Sequence, residues 1–244
     1  MKNIKITIQY DGTEYNGWQI QTNGRTIQGE LTRALSLLDR RHVTIHGAGR
    51  TDAGVHAEGQ IASFFLEREF DPLTLRDAIN GNLDRDIRVT GVETVDDKFN
   101  ARFSAKRKTY RYRIWRTDTV SPFVRLYVYH YRGPLDKEAM SRSASVLVGK
   151  HDFSAFTVVQ SKREDHVRQI ERLDVEWEQN EIVITAVADG FLRYMVRTIV
   201  GTLIEMGRGH IPESEMPVIL ESRDRNLAGP SAPAAGLTLM RVDY

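Results

Sequence analysis

The first hundred residues alternate between strand-like and helix-like patterns. Apolar and polar side chains alternate in IKITIQY at 4–10, which is typical of a strand. TIQGELTRALSLLD at 26–39 instead repeats its apolar side chains every three or four residues, as an amphipathic helix does. A second helix is predicted over 71–83, between an Asp–Pro start and a Gly/Asn end. Further strands are predicted over 43–49, 60–66 and 87–95. The elements therefore follow in the order β-α-β-β-α-β.

The second half repeats this pattern more loosely, without detectable sequence identity to the first. A long alternating strand is predicted over 105–117, and a hairpin over 169–190 that turns near 179–181. Amphipathic helices are predicted over 136–150 and 192–207, and a last strand over 237–244. The pattern predicts an α+β fold with domains at 1–104 and 105–244, whose two halves share one sheet and leave a cleft where they meet.

The composition excludes several classes of protein. Of 244 residues, 41% are hydrophobic and 27% are charged, which is ordinary for a globular chain and argues against disorder. The absence of cysteine excludes disulfides, thiolate metal sites and cysteine nucleophiles. The opening MKNIKITIQYDG lacks the apolar core of a signal peptide, and no apolar run is long enough to span a membrane. We therefore expect a cytoplasmic protein that does not associate with membranes.

Metal and serine chemistry are not indicated by the motifs. The seven histidines have neither H-E-x-x-H nor another compact ligand spacing, and no G-x-S-x-G is present. His42 and His46 are four residues apart in a predicted strand, where strand rise separates them by about 13 Å. We expect structural or surface histidines and no metal site.

Charge is balanced overall but unevenly distributed. The net charge is +1, yet residues 98–117 contain eight basic side chains and no acidic one. Aromatic side chains are interleaved with these cations: Phe99, Phe103, Tyr110, Tyr112 and Trp115. Positive charge beside aromatic rings suits a polyanion with stackable bases, although a solvated strand face has the same composition.

The glycine-rich segment GAGRTDAG at 47–54 follows a predicted strand but does not fit a phosphate-binding loop. It lacks the G-K-[ST] ending, and a strand follows it where a phosphate loop needs a helix. Such a loop could project Arg50 and Asp52 as a cation and a reactive carboxylate, while an ordinary surface turn with a weak ion pair is the alternative.

Two further positions are candidates by pattern. Tyr110 and Tyr112 share one face of the basic strand and could stack on a base or belong to the core. Arg193 and Arg197 are one turn apart on the predicted helix 192–207. An arginine at the core needs a partner, and Asp52 is an available carboxylate, whereas both arginines could also extend to solvent.

Taken together, these segments resemble the tRNA pseudouridine synthase A family. The similar stretches include YDGTEYNGWQIQ at 10–21, TIQGEL at 26–31, AGRTDAGVHAEGQ at 48–60 and FNARFSAKRKTYRYRI at 99–114. HDFSAF at 151–156, GFLRYMVRTIVG at 190–201 and GPSAPAAGLTL at 229–239 complete them. They occur in the family's order over nearly the whole chain, and GRTDAGVHA is the most specific of them.

The resemblance implies a fold, an activity and partners. The fold would be two ferredoxin-like, βαββαβ-type halves that share a mostly antiparallel sheet with a basic central cleft. The activity would be that of an isomerase, a tRNA pseudouridine synthase that converts uridine to pseudouridine at positions 38, 39 and 40 of the anticodon stem-loop. The resemblance further implies tRNA processing by a homodimer that uses no cofactor and no metal.

The resemblance also assigns roles to residues. Asp52 would be the catalytic aspartate, Arg197 its salt-bridge partner, and Arg50 would assist base flipping. Tyr110 would pack against the target uracil, and Leu237 would join Tyr110 and Arg197 in the substrate site. Further RNA contacts would come from Phe99, Arg102, Phe103, Lys106, Arg107, Lys108, Gln160 and Lys162.

Several alternatives stay open at the level of sequence. Asp52 could attack C1′, attack the uracil ring or act as a base. A catalytically silent RNA-binding module is one competing function. A nucleoside or glycoside hydrolase is another, although such enzymes need a second carboxyl group and only Glu58 is near. The chain departs from the family pattern at Asn100, Thr157, Tyr194 and Thr238, which affects the expected RNA contacts and not the reaction.

Overall fold

The computed structural model describes residues 1–158 and 165–244. Two units are distinguished: one comprises 1–106 together with Leu239–Tyr244, and the other comprises Arg107–Thr238. These bounds differ from the predicted 1–104 and 105–244 because the end of the last strand groups with the first unit. The backbone N–H of Lys106 donates to the carbonyl of Asp243, and the Tyr244 hydroxyl donates to the carbonyl of Ala101.

The first unit contains the predicted β-α-β-β-α-β sequence of elements. They are β1 (Lys2–Tyr10), α1 (Ile27–Asp39), β2 (His46–Gly47), β3 (His56–Leu66), α2 (Pro72–Gly81) and β4 (Ile87–Thr94). Antiparallel pairing places β1 between β4 and β3. The short strand β2 also pairs with β3 in the antiparallel direction. The strand predicted over 43–49 is reduced to two residues, because Val43 and Ile45 are buried without joining the ladder.

Capping residues set the ends of both helices in this unit. The Thr26 hydroxyl accepts from the N–H of Gly29, and the Asp71 carboxylate accepts from the N–H groups of Leu73 and Thr74. Both side chains satisfy donors that have no partner within the first helical turn. The core lies between the buried sides of these elements and contains Ile6, Ile8, Ile27, Leu31 and Leu35, all fully buried.

The second unit is built around a hairpin. Its strands are β5 (Arg107–Trp115), β6 (Tyr129–His130), β7 (Gly149–Asp152), β8 (Val167–Glu178), β9 (Glu181–Ala188) and the start of β10 (Leu237–Asp243). The helices are α3 (Lys137–Ser145), α4 (Met195–Gly207) and α5 (Glu215–Ser222). The antiparallel order is β5-β9-β8-β7, and β6 is parallel to β5.

Two predicted helices are shorter than expected. The helix predicted over 136–150 ends at Ser145, and Gly149 with φ +121° starts β7. The helix predicted over 192–207 begins at Met195, because Tyr194 adopts φ +62° and interrupts any helical continuation before it. The predicted hairpin is confirmed, with Gln179 at φ +53° in its turn.

The α+β class and the mostly antiparallel pairing are confirmed by these elements. The shared sheet and the basic cleft stay predictions. Among the described residues, no helix combines the length and the apolar character that a membrane crossing requires.

Candidate functional site

The segment GRTDAGVHA forms a loop that links the short strand β2 to β3. At its start, the N–H of Ala48 donates to the carbonyl of Ile61 over 2.7 Å. The carbonyl of Gly49 accepts from the side-chain amide of Gln60 over 3.0 Å, and Gln60 is fully buried. At its end, the N–H of Val55 donates to the carbonyl of Asp52 over 3.2 Å, which closes a turn around Ala53 and Gly54. The loop is therefore tied to β3 on one side and to itself on the other.

Thr51 anchors the middle of this loop to the interior. Its side chain is 6% exposed, and its hydroxyl lies 2.9 Å from the Tyr10 hydroxyl at the end of β1. Its carbonyl accepts from the N–H of Trp18 over 3.0 Å. Burial raises the pKa of Tyr10 to about 12, while the hydrogen bonds with Thr51 and Gln60 act in the opposite direction. Tyr10 is therefore a neutral hydroxyl at physiological pH.

The segment YDGTEYNGW, which follows β1, packs directly on this loop. A Cβ on Gly17 would stand 2.5 Å from the Thr51 carbonyl oxygen, and Gly17 has φ +86°. A Cβ on Gly12 would overlap the carbonyl oxygen of Val55. The N–H of Gly54 donates to the carbonyl of Tyr15 over 3.3 Å. The two motifs thus occur together because glycines let their backbones touch.

Asp52 and Arg50 flank the buried Thr51 and differ in exposure. Asp52 is half-buried, whereas Arg50 is exposed. The predicted projection of Arg50 and Asp52 from the loop stays a prediction.

His56 joins the same two motifs at the start of β3. It is 3% exposed, and its Nδ1 lies 3.1 Å from the N–H of Gly12 and 3.2 Å from the Asp11 carboxylate. The Asp11 carboxylate also accepts from the N–H and hydroxyl of Thr13. His56 is thus part of the support beneath the loop. This agrees with the sequence analysis, which expects structural or surface histidines.

The basic segment begins with a turn at 99–104 whose backbone is fixed by five side chains, one of which is Asn3, whose amide nitrogen donates to the Phe99 carbonyl. The side-chain oxygen of Asn100 accepts from the backbone N–H groups of Arg102 and Phe103. The Ser63 hydroxyl accepts from the Ala101 N–H, and the Tyr244 hydroxyl donates to the Ala101 carbonyl. The Ser104 hydroxyl accepts from the Asn100 N–H. Phe103 is 79% exposed at the tip, with the Arg102 guanidinium 5.4 Å from its ring centroid. We define residues 99–104 as the basic turn.

The predicted alternation along the basic strand β5 is confirmed. Tyr110 and Tyr112 are buried, while Arg111 and Arg113 on the other face are half-buried. The Tyr110 ring meets Phe191 edge-on at 5.2 Å between centroids. The Tyr112 hydroxyl donates to the carbonyl of Pro233, and burial raises the pKa of Tyr112.

Arg197 lies in the first turn of α4 and is fixed at both ends. Its Nε–H donates to the carbonyl of Ala232 over 2.7 Å, and its backbone carbonyl accepts from the N–H of the same residue over 2.9 Å. Its guanidinium also lies 5.2 Å from the Tyr194 ring centroid, which the Arg193 guanidinium approaches to 5.1 Å. The two arginines differ in exposure, since Arg193 is exposed and Arg197 is half-exposed.

The segment GPSAPAAG at 229–236 packs against α4, which explains why these two motifs occur together. A Cβ on Gly201 would overlap the carbonyl oxygen of Pro230, and the Thr202 hydroxyl accepts from the Gly229 N–H over 2.9 Å. The Thr198 and Ser231 hydroxyls lie 3.0 Å apart. The segment leads directly into Leu237, which is buried at the start of β10.

The other predicted RNA contacts vary in exposure. Arg102, Phe103, Lys106 and Arg107 are exposed, and Arg107 forms an ion pair with Glu171 at 3.0 Å. Phe99 is half-buried against Tyr244, and Lys108 is half-buried on β5. Gln160 and Lys162 lie outside the described residues.

Sequence reasoning missed the residues that support the loop, namely Tyr10, Thr51 and Gln60. Their only signal in the sequence is that YDG and GRTDAG occur in one chain. Within 1–158 and 165–244, no three histidine or carboxylate side chains gather as metal ligands.

Comparison with known proteins gives consistent matches along the chain. The family model described as tRNA pseudouridine synthase matches residues 6–104 and 144–244. A protein named tRNA pseudouridine synthase A from Bacillus sp. (strain KSM-64) is 43% identical over 245 residues and 100% of both chains. Proteins of the same name from Moorella thermoacetica and Acetivibrio thermocellus are each 44% identical, over 99% and 100% of both chains respectively. A solved Cbf5-Nop10-Gar1 complex aligns at 11% identity and a TM-score of 0.37, over 96% of this chain and 57% of that one.

Proposed function

Because the chain belongs to the tRNA pseudouridine synthase family, we propose that it converts uridine to pseudouridine at positions 38, 39 and 40 of the tRNA anticodon stem-loop. The observation that carries the proposal is the loop containing Asp52. Thr51 is bound inward, and the carboxylate beside it is half-buried in a signature motif of the family. We further propose that the protein acts in the cytoplasm as a homodimer.

The reaction exchanges one bond of the nucleoside for another. The C1′–N1 bond breaks, the uracil rotates, C5 bonds to C1′, C5 loses its proton and N1 gains one. No electron is gained or lost overall, so a carboxylate can suffice as the reactive group. Asp52 serves as a nucleophile or as a base in this scheme, since both roles use an ionised carboxylate.

A base within a helix must first leave the stack, at a cost of about a few kcal/mol. Arg50 is exposed on the loop that carries Asp52, two residues away along the chain. In our proposal its guanidinium occupies the space that the base vacates and contacts the neighbouring bases. Arg50 thereby offsets part of the lost stacking.

On the second unit, Tyr110, Arg197 and Leu237 would form the contacts to the target nucleotide. The Phe191 contact fixes the orientation of the Tyr110 ring, which suits stacking on the uracil. Arg197 is held by Ala232 and Tyr194, so its guanidinium is pre-oriented to bind an anionic group. The ion pair between Arg197 and Asp52 that the resemblance implies remains part of this proposal.

The RNA backbone would contact the exposed cations of the basic segment. Arg102, Lys106 and Arg107 are exposed, and Phe103 offers a ring face for an unpaired base. We propose the same role for Phe99, Lys108, Gln160 and Lys162.

The test measures tritium release from tRNA that carries 5-tritiated uridine, because only loss of the C5 proton liberates the label. We expect release by the wild-type protein and none by Asp52→Ala, with tRNA affinity nearly unchanged. The matched control is Glu58→Gln, which removes an exposed carboxylate from the same motif and should leave turnover intact.

Three outcomes would contradict the proposal in different ways. Tritium release by Asp52→Ala would refute the catalytic assignment. Binding of tRNA without release by the wild type would indicate an RNA-binding module. Free uracil in the product, together with a loss of turnover in Glu58→Gln, would indicate a hydrolase that uses two carboxyl groups.

A further inference from the structure

The loop that carries Asp52 is supported from beneath by a chain of three buried polar side chains. The Gln60 amide nitrogen lies 3.5 Å from the Tyr10 hydroxyl, which in turn lies 2.9 Å from the Thr51 hydroxyl. The same amide nitrogen donates to the Gly49 carbonyl over 3.0 Å. All of these groups belong to the first unit, and all three side chains are less than a tenth exposed.

Only one of these hydrogen bonds has its direction fixed by the donors available. An amide nitrogen only donates, so the Tyr10 oxygen accepts from Gln60, whereas either hydroxyl can donate in the Tyr10–Thr51 hydrogen bond. The Gln60 carbonyl oxygen is already used, since it accepts from the N–H of Ile61 over 3.1 Å. The three hydrogen-bonded side chains therefore connect the β3 backbone to the residue before Asp52.

We infer that Tyr10 and Gln60 are positioning residues of the isomerisation, which hold the backbone of residues 49–51 so that Asp52 stands at a fixed depth and angle. The inference rests on the function proposed above. Gln60 fixes the Gly49 carbonyl, Tyr10 fixes the Thr51 side chain, and Trp18 fixes the Thr51 carbonyl. Of the three residues before Asp52, Gly49 and Thr51 are therefore held by hydrogen bonds to a strand or to the YDGTEYNGW segment.

This arrangement predicts a loss of rate rather than of binding. A displacement of about 1 Å of a reacting group can cost on the order of a hundredfold in rate, whereas RNA affinity comes mainly from phosphate contacts elsewhere. Tyr10→Phe removes only the hydroxyl and leaves the ring in its core position. We expect kcat to fall roughly ten- to a hundredfold, with the Kd for tRNA unchanged.

Thr51 provides the partner variants. Thr51→Val removes the hydroxyl at nearly constant volume and should reproduce the loss of kcat, whereas Thr51→Ser keeps the hydroxyl and should stay close to wild type. In the double variant Tyr10→Phe/Thr51→Val we expect the loss of one single variant, because both substitutions remove the same hydrogen bond. A purely structural effect would not produce this coupling in kcat.

Tyr15→Phe is the matched control. Tyr15 is also buried in the first unit, but its hydroxyl donates to Asp86 and accepts from Arg25, neither of which belongs to the loop. We expect wild-type kcat in this variant. Normal kcat in Tyr10→Phe, or losses that multiply in the double variant, would overturn the inference.

Hydrogen exchange separates this inference from the proposed function. The Trp18 amide, which donates to Thr51, should exchange faster in Tyr10→Phe than in the wild type, whereas the Asp11 amide, which donates to Asp86, should not. Unchanged protection of Trp18 would overturn the positioning role even in an active enzyme. Absence of turnover by the wild type would instead overturn the proposed function, and the Trp18 result would still decide whether Tyr10 orders the loop.

Discussion

The Asp52 loop and the basic turn are both fixed by side-chain hydrogen bonds from the first unit, yet they present opposite kinds of surface. In the loop, the anchored residue Thr51 leaves Asp52 only half-exposed. In the basic turn, Asn100 fixes the backbone so that Phe103 is 79% exposed. In the function proposed above, this difference corresponds to a division of work in one unit, because a fixed, half-buried carboxylate suits chemistry and a fixed, exposed aromatic–cation pair suits affinity.

The largest effect is expected from Gly17→Ala, which separates the two motifs that form the loop. The new Cβ would stand 2.5 Å from the Thr51 carbonyl oxygen, at a residue with φ +86°. The overlap and the left-handed backbone together should lower the free energy of unfolding by about 3 kcal/mol. Urea unfolding followed by circular dichroism measures this loss.

Gly209→Ala is the control that measures the cost of a left-handed backbone without the steric overlap. Gly209 also has a positive φ, +73°, but a Cβ there would meet nothing within 4 Å. We expect a loss of about 1 kcal/mol from conformation alone. Equal losses in the two variants would show that close approach to Thr51 contributes nothing, and would remove the reason given for the pairing of the motifs.

Phe103→Ala should affect affinity and leave the rate at saturating tRNA unchanged. Stacking of a base on an aromatic ring contributes about 1 to 3 kcal/mol, and the Phe103 ring is the exposed face of the basic turn. We expect a Kd for tRNA weakened by roughly tenfold or more, measured by filter binding at constant salt. Leu73→Ala, which truncates an exposed apolar residue on α2, should have no effect.

A fall in kcat without a change in Kd in Phe103→Ala would reverse the comparison. It would place the basic turn in the chemistry and not in RNA binding. The measurement therefore tests the division between the two regions as well as the role of one residue.

Much of the fold could be predicted because it follows from periodicity and capping. The order β-α-β-β-α-β of the first unit was predicted from strand alternation, helical periodicity and the Asp71 start. The helix α5 was missed because Pro217 is typical of a helix break. Pro217 occupies the first turn of that helix, where its missing N–H has no helical partner to lose.

The resemblance named the candidate residues, whose roles stay proposals, but it did not name the residues that support them. Tyr10 and Gln60 look like ordinary positions of alternating strands, and only the fold brings their polar groups beneath Thr51. Similarly, the break before α4 depends on the positive φ of Tyr194, which a local pattern does not encode. Long-range hydrogen bonds and strained backbone angles are tertiary properties, so periodicity carries no signal for them.

The smallest predicted effect is on how the free energy of unfolding changes with pH, and it depends on the Tyr10 hydroxyl beneath the loop. Burial raises the pKa of Tyr10 to about 12, compared with about 10 in an unfolded chain. The contribution of this raised pKa is complete below pH 10 and is lost as the pH rises from 10 to 12, because the unfolded tyrosine ionises first. Tyr10→Phe has no such loss, so the stability gap between wild type and variant should narrow by about 1 kcal/mol between pH 9 and pH 11. Parallel stability curves over that range, from urea unfolding at each pH, would mean that the Tyr10 hydroxyl is not shielded from solvent, and the contrast between a shielded loop and an exposed turn would then lose its basis.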